Sequence, residues 1–262
     1  MKNYALAAVA AVSFAVSGVA SATVVQVTPG SMQGWSNPAD ENAYPGHPLG
    51  SATITGGSAH DGDGSIELKG ERSRFVVGTL YPNAASASFG LLSTFASLTF
   101  DWKLAADSVA TLNPLYTPAL RFTIYNGSIR KELIWEGVYN NTYNTTSKDV
   151  WYSTSAADNF YITGGSVNDG KSIADWAADA SLANYVVKGI SVGQGSSAGD
   201  GFHAYADNVS YAKTDGSVTT FKFDLTAAAS DVPEPATWGM MIVGFGMVGG
   251  SLRRRKTTIA FG

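Results

Sequence analysis

Ser97-Leu98-Thr99-Phe100-Asp101-Trp102-Lys103-Leu104 alternates strictly between apolar and polar residues. Successive side chains leave a strand on opposite sides, so a period of two marks a β-strand with one buried face. Leu98, Phe100, Trp102 and Leu104 are predicted to face a core, and Thr99, Asp101 and Lys103 to face outward. The pattern recurs on both sides of this stretch. Residues 119–125 turn Leu120, Phe122 and Ile124 one way, and residues 65–69 separate Ile66 and Leu68 from Glu67 and Lys69. Residues 218–225 are predicted to turn Phe221, Phe223 and Leu225 inward. Stretches at 23–28, 52–55, 74–81, 131–139, 150–154, 159–163, 185–192 and 201–212 complete the series, broken by Gly-, Asn-, Asp- and Pro-rich turns. Short strands at this spacing predict an all-β chain folded as a β-sandwich. One short helix interrupts them. Ser172 is a good N-cap with Asp175 three residues on, and Ile173, Trp176, Ala177 and Ala180 then share a face.

Composition narrows the function classes. Charged residues make up 15% of the 262 residues and the net charge is −4. No basic stripe is present to neutralise phosphates, so nucleic acid is not an expected partner. There is no cysteine, which rules out disulfides, thiol catalysis and zinc–thiolate sites.

The two ends carry addresses. Lys2, an apolar run over residues 5–19 and the small residues Ala20-Ser21-Ala22 form a signal-peptide pattern, with Ala20 and Ala22 framing the cleavage site and Thr23 expected to begin the mature chain. The other end reads Pro233-Glu234-Pro235, then an apolar stretch over residues 236–252, then Arg253-Arg254-Arg255-Lys256. Prolines interrupt regular structure. As a helix the apolar stretch would measure roughly 26 Å, the lower limit for a bilayer core, with the cations held on the cytoplasmic side. The expected organisation is a signal peptide (1–22), a sandwich domain (23–225), a polar linker (226–232), a tail with a transmembrane helix (233–256) and a short end (257–262).

The tail resembles the PEP-CTERM sorting signal of Gram-negative bacteria, on Pro233, Glu234, Pro235, Trp238, Met240 and the cluster Arg253, Arg254 and Arg255. Gly239 stands where that family usually has alanine. The resemblance implies an inner-membrane-anchored precursor handled by an exosortase, then release to the cell surface or extracellular matrix, with polysaccharide as an associated partner. A second resemblance lies in the body. Gly201-Phe202-His203-Ala204-Tyr205-Ala206-Asp207-Asn208-Val209 is similar to the closing strands of exported bacterial jelly-roll domains. Gly34-Trp35 and Asp61-Gly62-Asp63-Gly64 resemble the opening strands of carbohydrate-binding-module sandwiches. Together these imply a jelly-roll-like β-sandwich.

Two kinds of site are candidates. Asp61, Asp63 and Asp207 could hold a structural calcium, which takes six to eight oxygen ligands; the competing reading is an Asx-rich turn, with Asp207 capping backbone amides. The stretch from Tyr125 to Tyr161 is rich in aromatic and Asn residues. Within it Tyr139, Tyr143 and Tyr152 are candidate sugar-stacking rings and Trp135 a core residue; ordinary strand packing is the competing reading. Catalysis has little support. Glu132 and Glu136 share a strand face, but four residues of strand span roughly 13 Å, too far for a glycosidase pair. His47, His60 and His203 form no metal-binding pair at helical spacing. The expectation is a non-enzymatic, exported surface or matrix protein; a secreted hydrolase and a purely structural or adhesive protein are the alternatives.

Overall fold

The computed structural model describes residues 21–37, 50–79, 87–111, 113–195 and 198–227, with Ile242 and Phe245 in the tail. The chain divides into two compact units, Met1–Leu225 and Thr226–Gly262. In the second unit, Ile242 and Phe245 are helical and exposed. The predicted signal helix, Ala20 and the sorting residues Pro233, Glu234, Pro235, Trp238 and Arg253–Arg255 lie outside the described residues, as does the rest of the 236–252 stretch. Among the described residues no helix is long and apolar enough to cross a membrane.

The first unit is a jelly-roll-like β-sandwich of two sheets, each with seven strands among the described residues. The first sheet holds β1 (Ala22–Val27), β3 (Ser51–Thr55), β4 (Ser65–Lys69), β7 (Phe95–Leu104), β10 (Trp151–Ser153), β13 (His203–Lys213) and β14 (Val218–Phe223). The second holds β2 (Trp35–Ser36), β5 (Arg74–Gly78), β6 (Gly90–Leu91), β8 (Ala119–Asn126), β9 (Ile129–Trp135), β11 (Tyr161–Ile162) and β12 (Val186–Gly193). The chain crosses repeatedly from one sheet to the other, as a jelly roll does.

Each sheet is built on one long central strand that shares an edge between two shorter partners. In the first sheet β7 runs along one edge of β13. On the other edge β4 pairs with His203–Ala206 and β14 pairs from Val209 onward. In the second sheet β8 runs along β12, while β5 pairs from Gly189 and β6 with Val186 and Val187 on the opposite edge. β1 adds to β14 in parallel, and the other strand pairs are antiparallel.

The alternating pattern fills the space between the sheets. Leu98, Phe100, Trp102 and Leu104 of β7 meet Leu120, Phe122, Ile124, Leu133 and Trp135 in one core, all at most 2% exposed. Phe100 meets the Trp135 ring edge-on at 5.3 Å, and Phe95 meets Phe122 at 5.0 Å, within the favourable range for T-shaped pairs. At the other end Trp35 stacks on Phe75 and meets Phe223 edge-on. The helix α1 (Ile173–Ala177) closes one side against β7. Ser172 Oγ accepts from the Asp175 amide, and the Trp176 indole donates to Phe160 O.

Three expectations are corrected. Leu225 is 43% exposed, because β14 ends at Phe223 and Asp224 turns away to bind the loop between β3 and β4. Ala180 is exposed because α1 stops at Ala177 and Asp179 caps a separate 3-10 turn. The strand expected over 131–139 stops at Trp135. Beyond it a Cβ on Gly137 would collide with Thr142 Oγ1. The chain there coils into 3-10 turns at Gly137–Asn140 and Thr142–Asn144, joined by Asn141 at φ 58°.

On the outer face of the first sheet Glu67 Oε1 faces His203 Nε2 at 3.0 Å, the Tyr205 hydroxyl at 3.1 Å and Lys69 Nζ at 3.0 Å. His203 Nδ1 faces Asp107 at 2.7 Å. Burial pushes the Glu67 carboxyl up, but the hydrogen bonds from Lys69, His203 and Tyr205 together hold it below its ordinary value. A carboxylate with a depressed folded pKa contributes stability that is present above its unfolded pKa and lost as pH falls through the folded value. Between about pH 5 and pH 3 the urea midpoint of the wild type should therefore fall more steeply than that of Glu67→Gln. Parallel slopes would show that the cluster adds nothing to acid sensitivity.

Candidate functional site

Two clusters of polar and aromatic side chains lie on the outer faces of the sandwich, one on each sheet. The first gathers at a bulge in β13. The register against β7 shifts between Asp207 and Ser210, and Asn208 takes φ 49°. The loop between β3 and β4 folds over this point. Asn208 Nδ2 donates to Asp61 Oδ2 at 3.0 Å and to Asp101 Oδ2 at 2.7 Å. His60 Nε2 meets Asp101 Oδ2 at 3.0 Å, and its ring stacks on Trp151 at 4.3 Å. The ligand atoms of His60, Asp61 and Asp101 all lie within 4.8 Å of one another.

Of the calcium candidates only Asp61 joins this group. Asp63 is committed to fixing its loop: its amide donates to Asp224 Oδ1 at 2.8 Å and its Oδ1 accepts from the Leu225 amide at 2.7 Å. Gln26 Nε2 donates to the other oxygen of Asp224. A Cβ on Gly62 would collide with Asp224 Oδ1, so the loop closes on Asp224 only with glycine there. Asp207, 1% exposed, accepts from the Asn208 and Phe223 amides through the same Oδ1. It is the amide cap of the competing reading. Burial pushes its carboxyl up to about 7, with Asp224 and Asp101 adding to the rise. Calcium prefers an all-oxygen shell, whereas one imidazole nitrogen with two carboxylates suits a first-row divalent ion. His60 and Asp101 join Asp61 as potential metal ligands, a grouping the sequence analysis did not make. His60 of the β3–β4 loop meets Asp101 of β7, and a search at helical spacing does not see that.

The second cluster stands at the corner of the second sheet where β8, β9 and β11 meet. Arg121 of β8 is the register partner of Ile134 and of Ser191, and Ile134 in turn pairs with Tyr161. With Leu120 and Phe122 inward, Arg121 and Thr123 belong to the outer face. That face is covered here: Arg121 is 3% exposed, and Thr123 and Ser191 are fully buried. Tyr116 lies just before β8, and the 3-10 turns after β9 carry Tyr139 and Tyr143. The Tyr139 and Tyr161 rings meet edge-on at 5.3 Å, and Tyr116 and Tyr143 at 6.4 Å. Glu136 sits among them and hydrogen-bonds the Tyr161 side chain.

Burial keeps the tyrosine phenols of this corner protonated. Burial raises the Glu136 carboxyl, against the nearby Arg121 charge and the hydrogen bond with Tyr161. Burial likewise pushes the Tyr116, Tyr143 and Tyr161 phenols up, and the Glu136 charge adds to each. These phenols therefore remain neutral, able to donate a hydrogen bond and to accept one.

Of the three candidate rings, the structure thus brings together Tyr139 and Tyr143, and it adds Tyr116, Tyr161, Glu136 and Arg121 to them. Tyr152 is elsewhere. It stacks on Trp102 at 4.9 Å, and its hydroxyl accepts from the Ser147 amide at 2.7 Å, so it packs rather than presents a free ring. Trp135 is fully buried. Glu132 meets Arg74 at 3.4 Å and Arg130 at 2.7 Å. An apolar cavity of about 370 Å³, lined by Met32, Ile54 and Phe75 among others, opens at the edge where β2 and β3 lie.

Residues 231–256 match the PEP-CTERM protein-sorting motif. A search of curated proteins finds no match to the chain. The motif supports an exported protein sorted by an exosortase at the membrane. Mass spectrometry of the protein from its native host is expected to find a mature chain that begins near Thr23 and ends near Pro235. A chain intact through Gly262 would count against processing.

Proposed function

We propose that this exported, membrane-sorted chain is a non-enzymatic protein of the cell surface or extracellular matrix whose sandwich associates with polysaccharide through the corner of its second sheet. The observation that carries the reading is the group of four tyrosines around Glu136. Aromatic faces stack on the C–H faces of sugars, and neutral phenols, a carboxyl and a guanidinium offer mixed donors and acceptors for hydroxyl groups. Tyr139, 36% exposed, is the ring most open to solvent in this group.

A binding role is favoured over hydrolysis by the state of the two glutamates. Glycosidases need a pair of carboxylates that flank the scissile bond. Glu132 on β9 is held by two arginines, and Glu136, just past the end of that strand, lies among phenols, so the two do not form such a pair. The export address and the binding face suit each other: the tail delivers the sandwich to the compartment where polysaccharide is found.

A glycan array probed with the full-length protein in detergent tests this reading. Retention of one or more glycans by the wild type, reduced about tenfold in Tyr143→Ala, is expected, a loss of about 1.4 kcal/mol for one stacking ring. Retention of no glycan would leave a structural or adhesive sandwich.

A further inference from the structure

The sugar-binding corner has an unbalanced set of hydrogen-bonding groups. Nε and Nη1 of Arg121 have no partner, and neither do Oγ1 of Thr123, Oγ of Ser191 and Oγ1 of Thr142. Thr123 follows Arg121 by two residues on the same strand face, and Ser191 is the register partner of Arg121 on β12. An unpaired buried polar group is destabilising, and more so when it is charged. Glu136 lies close enough to offset the Arg121 charge, yet it bonds neither orphaned nitrogen. The corner therefore holds a cation with two N–H donors to spare, with unpaired hydroxyls on the same sheet face and Tyr116 and Tyr161 nearby.

We propose that Arg121 receives the carboxylate of an acidic sugar, a uronic acid unit of an anionic polysaccharide. This inference rests on the sugar-binding reading of the corner and names the class of sugar. A carboxylate supplies only acceptors, which is what the guanidinium and the hydroxyls lack, and charge-assisted hydrogen bonds are about twice as strong as neutral ones. The pyranose ring of the same unit would lie against the tyrosines. Arg121 is 3% exposed, so the carboxylate reaches it only when a covering side chain moves; Tyr139 and Tyr143, on 3-10 turns rather than in the sheet, are the side chains proposed to move. The chain's net charge of −4 gives no long-range pull on an anionic polymer, so discrimination has to come from this local contact. Glu136 competes with the incoming carboxylate for the same cation.

The test compares trigalacturonic acid with its neutral counterpart galactotriose, by isothermal titration of the detergent-solubilised full-length protein. The wild type is expected to bind the acidic trimer about tenfold more tightly. Arg121→Gln is expected to erase that preference, so that the two trimers bind alike. Removing a buried arginine can also unfold the corner, so Glu136→Gln gives a second reading. It keeps the side-chain size, removes the competing carboxylate, and should raise the preference for the acidic over the neutral trimer about threefold. Equal wild-type affinity for the two trimers, or a Glu136→Gln variant whose preference for the acidic trimer does not rise, would overturn the acidic assignment and leave the sugar-binding reading standing. Binding of neither trimer, with an array that retains no glycan, would overturn both.

Discussion

Trp135→Ala lowers the unfolding free energy by about 3–5 kcal/mol, the range for truncating a fully buried large aromatic. Trp135 is fully buried at the end of β9. Its ring meets Phe100 edge-on at 5.3 Å and Trp102 at 6.0 Å, both from the opposite sheet. Its indole donates to Asp158 Oδ2 at 2.9 Å, tying the chain before β11 to the core. Alanine leaves a cavity between the sheets that rigid strands collapse around only in part, and it frees the Asp158 bond as well. Urea denaturation followed by far-ultraviolet circular dichroism measures the loss. Trp135→Phe should lose less, because it refills most of the space and forfeits only the indole bond. A loss below about 1 kcal/mol for the alanine variant would match a surface site rather than a core one.

Asp207→Ala is the second large effect, a loss of about 2–4 kcal/mol from two backbone amides left without an acceptor. The cause is topological. β13 gives up β4 at Ala206 and takes β14 from Val209, so one edge changes partner across two residues. Asp207 fills that gap, and its Oδ1 takes the Phe223 and Asn208 amides. Asp207→Asn keeps an acceptor oxygen of the same reach and should lose less than half as much. If the two variants were equally destabilised, the loss would stem from the carboxyl's charge and not from the amide bonds. Hydrogen exchange at the Phe223 amide, slow in the wild type and fast in Asp207→Ala, gives a local reading of the same event.

The core was legible in the sequence because its signal is local. A period of two requires only neighbouring residues, and Leu98, Phe100, Trp102, Leu120, Phe122 and Ile124 all face inward as their alternation predicts. The two-residue strands β2 and β6 carry no such period and are not visible that way. Ends of elements depend on tertiary partners. Leu225 continues the apolar alternation of β14, but Asp224 is drawn off to the 61–63 loop and takes Leu225 out of the core. The acidic candidates show the same limit. Asp61, Asp63 and Asp207 are near in space, yet which oxygens are free depends on backbone amides of Leu225 and Phe223, far along the chain. The alternation places Arg121 on an outer face, where an arginine normally reaches water. Its burial is tertiary: Tyr116, Glu136 and Tyr161 are drawn near it, and no period encodes that. Tyr139 and Tyr143 could be named from composition, while Tyr152, in the same aromatic stretch, packs on Trp102 because β10 pairs with β7 rather than with the second sheet.

The tail and the body answer different questions. The 231–256 motif states how the chain is handled, and the sandwich determines what it meets afterwards. Hydrogen–deuterium exchange of the full-length protein, with and without a saturating glycan retained on the array, tests the binding face most directly. The expected result is new protection confined to peptides covering 116–123, 136–146 and 161–163, with the His60–Asp101 face unchanged. Protection on that other face, or none at all under saturating glycan, would contradict the assignment of the second-sheet corner as the binding site.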